Sequence, residues 1–361
     1  MRNSLYIGAL IILLGCGHPE KADNATPQVS PAVTRSPENP QRTPTSAPEE
    51  NRKRSYNDRL LETYLDSIGD LSPVRWMKNA AFTTDSVFRN RTPWDKTIRA
   101  KDFALLKNGC KTGMLDIALA KRIFGDIAGD SAYLEQGALP LQFIPFDTRE
   151  SNFHEFAICP LGDGGWDCDV FFFSGNRIVA KHHIYHRYGL QVDHYKDRDG
   201  KTVIYYKENY RSGSGIWWFN YCFYKYDGGK LIPVLNELAE ANQQFPWGAR
   251  IFTLKSTVQK TNPLTLKMVY SQAFSDGPES PVFIHDSTLV RYTWHEESKT
   301  FRGVYEKSKI TKPQILTYYL EDTEHLFIHT HHDMLKRFLQ TDTMRTRTLD
   351  YLDLIKIHSD E

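Results

Sequence analysis

The hydrophobic pattern of this chain changes period twice. From Ser55 to about Gly125 apolar residues recur at helical spacing. Leu60, Leu61, Tyr64, Leu65 and Ile68 form one such stripe, which stops at Gly69, a residue suited to a helix C-terminus. Ser72-Pro73 reads as an N-cap followed by proline at the first helical position. A further helix is expected from Met114 to Phe124, with Leu115, Ala118, Leu119 and Ile123 on one face and Gly125 ending it.

From Leu139 to about Leu320 the period becomes two. Apolar and aromatic runs alternate with turn signals at Asp163-Gly164, Gly175-Asn176, Asp199-Gly200, Gly213-Ser214-Gly215, Asp227-Gly228-Gly229 and Asn262-Pro263. Strands joined by such short turns must be antiparallel, because parallel neighbours need long crossovers. The expectation is nine to eleven strands in a meander. After His325 the helical period returns through Met334, Leu335, Leu349, Leu352 and Ile355. The predicted class is therefore mainly β with flanking helices (α+β). Its antiparallel meander would form a sandwich, an open barrel or a partial propeller. The expected division is a helical subdomain over 55–130, a β body over 131–325 and C-terminal helices over 326–361.

One stretch stands out within the meander. Ile216–Tyr226 (IWWFNYCFYKY) holds seven aromatic rings in eleven positions. Alternate side chains of a strand face opposite ways, so Trp217, Phe219, Tyr221 and Phe223 share one face. Ile216, Trp218, Asn220, Cys222, Tyr224 and Tyr226 share the other. Both faces are mostly apolar, which favours burial on both sides. A second reading makes Trp218, Asn220, Tyr224 and Tyr226 a ligand platform, with rings covering the apolar faces of a sugar and polar tips taking its hydroxyls.

Ahead of the folded region, Arg2 and the apolar run Leu5 to Leu14 read as a secretory signal, since ten residues are too few to span a membrane. The run ends in Leu13-Leu14-Gly15-Cys16, which resembles the lipobox of bacterial lipoproteins. The resemblance covers the first sixteen residues, with Leu14 standing where that pattern prefers a small residue. It implies a signal peptide over 1–15, cleavage before Cys16 and a diacylglyceryl (palmitate-type) thioether on that cysteine. It also implies a place in the cell envelope, at the outer membrane. Several acyl chains attach far more firmly than one, at ~0.8 kcal/mol per buried methylene. Residues 17–54 carry seven of the eighteen prolines and no aromatic residue, so with Cys16 they are expected to form a disordered tether over 16–54.

Composition narrows the partners. With 45 basic and 44 acidic residues the net charge is +1, which gives no electrostatic case for nucleic acid. Among the cysteines, a two-residue turn at Asp163-Gly164 would set Cys159 opposite Cys168, with α-carbons ~4.5 Å apart, within reach of a disulfide. Pro160 speaks against that register, because it would occupy a hydrogen-bonded site without an N–H. Pairing of Cys110 with Cys222 is left open by the sequence.

Other constellations give little chemistry. Asp197-Arg198-Asp199-Gly200 invites a calcium reading, but an EF-hand alignment puts Tyr195 and Tyr206 where carboxylates are needed, so a hairpin turn is favoured. His182 and His186 on a strand would lie ~13 Å apart and cannot share a metal. His329, His332 and Asp333 would be neighbours on a helix, without enough ligands by themselves. No nucleophile elbow, P-loop or dinucleotide fingerprint occurs, and nothing pairs Glu208, Glu237 or Glu240 as glycosidase carboxylates. No metal and no cofactor is predicted. The expectation is a non-catalytic binding or scaffolding module engaging a glycan or an envelope protein. The alternatives are a hydrolase of an envelope or extracellular polymer and a structural part of an envelope assembly.

Overall fold

A computed structural model describes residues 94–125, 131–146, 153–161, 166–185, 189–213, 216–245, 250–274, 282–306 and 324–359. The lipobox, the tether, the helices expected near Leu60 and Ser72, the Asp163-Gly164 turn and His186 lie outside them. The described residues all belong to one compact unit.

The described residues are mainly β, in two antiparallel sheets. The smaller contains β1 (Lys96–Thr97), β2 (Met114–Asp116), β3 (Ala138–Pro145), β4 (Glu155–Pro160), β5 (Asp167–Ser174) and β6 (Arg177–Tyr185), in the order β1-β6-β5-β4-β3-β2. The larger is an uninterrupted eight-stranded meander. It runs through β7 (Asp193–Lys196), β8 (Thr202–Gly213), β9 (Ile216–Asp227), β10 (Lys230–Phe245), β11 (Arg250–Thr261), β12 (Leu264–Phe274), β13 (Val282–His295) and β14 (Thr300–Glu306). Among the described residues twelve strands thus lie between Ala138 and Glu306, one more than the upper expectation. The helices are α1 (Ala100–Thr112), α2 (Ile117–Phe124), α3 (Ser131–Gln136), α4 (Glu324–Leu339) and α5 (Asp342–Ser359).

Local chemistry sets the ends of these elements. Gly228 and Gly229 both take positive φ, 58° and 73°, in the two-residue turn where Asp227 pairs with Lys230. Strands with the usual right-handed twist favour such a turn, and only residues free to adopt positive φ fit it well. The helix expected from Met114 begins three residues later. Leu115 pairs with Leu139 in β2, and the Asp116 carboxylate then accepts the Leu119 N–H at 2.8 Å as an N-cap. The Lys96 ammonium donates to the carbonyls of Arg122 and Ile123, at 2.8 Å each, near the other end of α2.

The six-stranded sheet is packed on both faces. Phe156, Ile158, Phe171, Phe173 and Ile178 bury against Leu106 of α1 and Leu119, Ala120, Ile123 and Phe124 of α2. Ala157, Cys159, Val170, Phe172 and Ala180 bury against Ile204 and Tyr206 of β8 and Cys222, Tyr224 and Tyr226 of β9. The run Val170-Phe171-Phe172-Phe173 is apolar at successive positions because both of its faces are core.

The eight-stranded sheet curls into a half-barrel, and β10 is where it turns. Its pairing with β9 shifts register between Pro233 and Leu235 and again between Leu238 and Glu240. Val234 and Ala239 are thus extra residues, and such bulges bend a strand and re-aim its side chains. At one end of the sheet Trp218, Ala241, Leu254 and Met268 form a common core with Phe327, Leu335 and Leu352 of α4 and α5. At the other end Tyr221 and Phe223 of β9 meet Leu264 and Leu266 of β12 and Val290 and Tyr292 of β13 inside the curl.

Candidate functional site

The aromatic strand β9 is core on the face that the platform reading singled out. Trp218 is 0% exposed, Asn220 5%, Tyr224 1% and Tyr226 4%. Trp218 lies beneath α4 and α5, and Tyr224 and Tyr226 lie beneath the six-stranded sheet. Tyr224 stacks on Tyr206 with ring centroids 5.9 Å apart, and the Tyr206 hydroxyl meets His182 Nδ1 at 2.9 Å. Asn220 donates to the Asn236 side chain at 2.8 Å. The ligand-platform reading of these four residues is corrected: a second layer covers them, leaving no sugar room to stack.

The opposite face of the same strand reaches the surface at its beginning. Trp217 is partly exposed and borders a groove of about 650 Å³ on the outward side of β9 to β12. That volume falls within the range of small-molecule sites, roughly 300–1,000 Å³. The groove floor is a set of cross-strand rows fixed by register. Trp217 pairs with Asn242, Asn242 with Thr253, and Thr253 with Ser271. At strand spacings of ~4.8 Å this row spans about 14 Å. In the next row Glu240 pairs with Lys255, and Lys255 with Val269; beyond it Thr257 pairs with Lys267. These outward positions of β11 and β12 alternate with the buried Phe252, Leu254, Leu266, Met268 and Tyr270. The period-two pattern thus produces a polar face directly behind an apolar one.

Contacts within the groove show which groups are already engaged. The Thr253 and Ser271 hydroxyls hydrogen-bond each other at 2.7 Å. Glu240 accepts from the Lys207 ammonium at 2.9 Å. Lys255 and Lys267 are exposed, and among the described residues neither has an ion-pair partner. The groove is therefore lined by one indole ring, the Asn242 amide, hydroxyls and two exposed ammonium groups, with its carboxylate held by Lys207.

The remaining sequence candidates have structural roles. Asp197 forms a turn and an ion pair together: its carboxylate accepts the backbone N–H of Asp199 at 3.0 Å and of Lys201 at 2.9 Å, and the Lys225 ammonium lies 2.6 Å away. Lys225 is 2% exposed, and its ammonium also sits 4.1 Å from the centre of the Trp294 ring. Inside the curl, buried Glu237 accepts from the Tyr292 hydroxyl at 2.6 Å. Burial, chiefly, and the nearby Glu237 charge hold the Tyr292 hydroxyl protonated well beyond its usual range. His182 is buried on one side of β6, while His183 on the other side meets Asp169 at 3.0 Å. His332 Nδ1 is 3.2 Å from Asp333. Among the described residues no group of three or more His, Cys, Asp or Glu is placed to hold a metal ion.

The expected register of the cysteine pair is also corrected. β4 and β5 pair Ile158 with Phe171, two residues away from the alignment that would set Cys159 opposite Cys168. Continued along the strands, this pairing makes Cys159 and Cys168 diagonal neighbours, typically ~7–8 Å apart at Cα, beyond easy reach of a disulfide. Both cysteines are buried thiols outside any disulfide, and neither Cys110 nor Cys222 is in a disulfide. A hydrogen bond with Cys168 and burial push the Cys159 thiol pKa far up, so it stays protonated. The ladder with β5 stops before Pro160, which has no N–H to contribute.

Trp217 and its row were missed as a site by sequence reasoning, which preferred the other face for its Asn and Tyr tips. The available signal was the alternation of Thr253, Lys255 and Thr257 with Phe252, Leu254 and Ser256 along β11. Compared with known proteins, the chain matches no family model, no curated protein and no solved structure.

Proposed function

We propose that this is a lipid-anchored protein of the cell envelope whose β body is a non-catalytic module that binds a glycan in the groove bordered by Trp217. The anchoring half of the reading rests on Leu13-Leu14-Gly15-Cys16 and the proline-rich tether that follows it. Acyl chains on Cys16 would hold the protein at the outer membrane. The binding half rests on one observation: the groove sets the Trp217 ring in a row with Asn242, Thr253 and Ser271. A flat ring covers the apolar face of a pyranose, and the amide and hydroxyls can exchange hydrogen bonds with its hydroxyl groups.

A hydrolase at this groove would need a pair of carboxylates facing across it. Of the residues lining it, Glu240 is the one carboxylate, and Lys207 holds it. That favours binding over bond cleavage.

The test is calorimetric titration of the full-length acylated protein, in detergent micelles, against a panel of oligosaccharides. Trp217→Ala should weaken binding at least tenfold with an unchanged circular-dichroism spectrum and melting temperature. Trp218→Ala, one residue on, should instead cost ~3–5 kcal/mol of stability, because it opens a cavity under α4 and α5. Undiminished binding by Trp217→Ala would remove the groove from consideration.

A further inference from the structure

We infer that the ligand of the groove is an acidic oligosaccharide, whose carboxylates are taken by Lys255 and Lys267; this rests on the glycan-binding role proposed above. The charges on the outward face support it. Lys207, Lys255 and Lys267 stand there with Glu240 as the lining carboxylate, and Glu240 is held by Lys207 at 2.9 Å. Two positive charges are thus left over at the groove. They are not an echo of the whole chain, whose net charge is +1 over 361 residues.

The register also spaces the two cations for a polymer. Lys255 pairs with Val269 and Lys267 with Thr257, so the lysines are diagonal neighbours on adjacent strands, ~7–8 Å apart at Cα. Trp217 lies two strands from Lys255 and one row along. A chain laid obliquely over the sheet would meet the indole ring first, then Asn242 and Thr253, then the two ammonium groups in turn. A single sugar cannot reach from the ring to Lys267, because the path crosses strands β9 to β12 at ~4.8 Å each. Val269, paired with Lys255, gives an apolar floor between the cations.

The deciding experiment pairs each acidic oligosaccharide of a panel with its methyl-esterified counterpart of the same length. Binding is measured to the full-length acylated protein in micelles and to its Lys255→Gln/Lys267→Gln variant. Two exposed ammonium–carboxylate contacts predict about tenfold tighter binding of the acidic form at low salt. That preference should shrink as salt is raised, because exposed charges are screened, and it should vanish in the double variant. Equal binding of acid and ester, or a preference that survives in the double variant, would overturn the acidic-ligand inference alone. The glycan-binding role would still stand if Trp217→Ala abolished binding. Failure of every saccharide in the panel, charged or neutral, would overturn both.

Discussion

Lys225 is a cation on a central strand with 2% of its surface in water, and such burial is costly unless the charge is compensated. Asp197 supplies the compensation from the β7–β8 turn, and the Trp294 ring adds a cation–π contact. The same carboxylate holds the turn by accepting two backbone N–H groups. Asp197→Ala should therefore cost ~3–5 kcal/mol in urea unfolding, since it strands a buried charge. Asp197→Ala combined with Lys225→Met should be more stable than Asp197→Ala alone. A double variant no more stable than the single one would show that the turn, not the ion pair, carries the effect. The turn was legible in Asp197-Arg198-Asp199-Gly200 from local residue preferences. Its link to Lys225 was not, because the partner lies on another strand 28 positions away.

At the scale of elements, α4 shows how a helix depends on what it is packed against. The helix departs from helical geometry at His331, with φ −116° and ψ 21°. The His331 ring packs 4.9 Å from Phe327, and the Arg250 guanidinium sits 4.0 Å over that same Phe327 ring. Burial first, and the Arg250 charge second, lower the His331 pKa from 6.5 to about 3. The unfolded chain therefore takes up this proton before the folded one. The group costs nothing well above pH 6.5, and its penalty grows as pH falls from there toward 3. By pH 5 the loss should reach about 2 kcal/mol relative to pH 7.5. His331→Gln should flatten that part of the pH dependence. Urea midpoints of both proteins at pH 7.5 and 5.0 decide it, and parallel losses would refute the assignment to His331.

At the scale of the whole molecule, the sheets and helices of the described residues bury one another in layers. The six-stranded sheet lies between α1–α2 and the β8–β9 face, and α4 with α5 closes one end of the curled sheet. Ending the chain before Glu324 would expose Phe252, Leu254, Met268, Tyr270 and Phe274 together, a patch large enough to drive association. Size-exclusion chromatography of the truncated protein should show aggregates or no soluble monomer. A folded monomer would mean that the helices are dispensable to the β body.

The sequence by itself determined the class of the molecule and the punctuation of its strands. Period-two alternation, glycine turns such as Gly228-Gly229 and the helical stripe after His325 are local properties, set by neighbours a few positions apart. Burial of β9 on most of both faces was legible for the same reason, since few of its positions are polar. The tertiary structure alone decided which ring stays at the surface. Trp217 and Trp218 are adjacent and equally apolar, and only α4, α5 and the six-stranded sheet cover the face of Trp218. It also decided the Cys159–Cys168 register, because the number of residues in a glycine-rich turn is not set by its sequence. The bulges at Val234 and Ala239 are a third such decision. They depend on how β9, β10 and β11 pack together, and local preference carries no record of that packing.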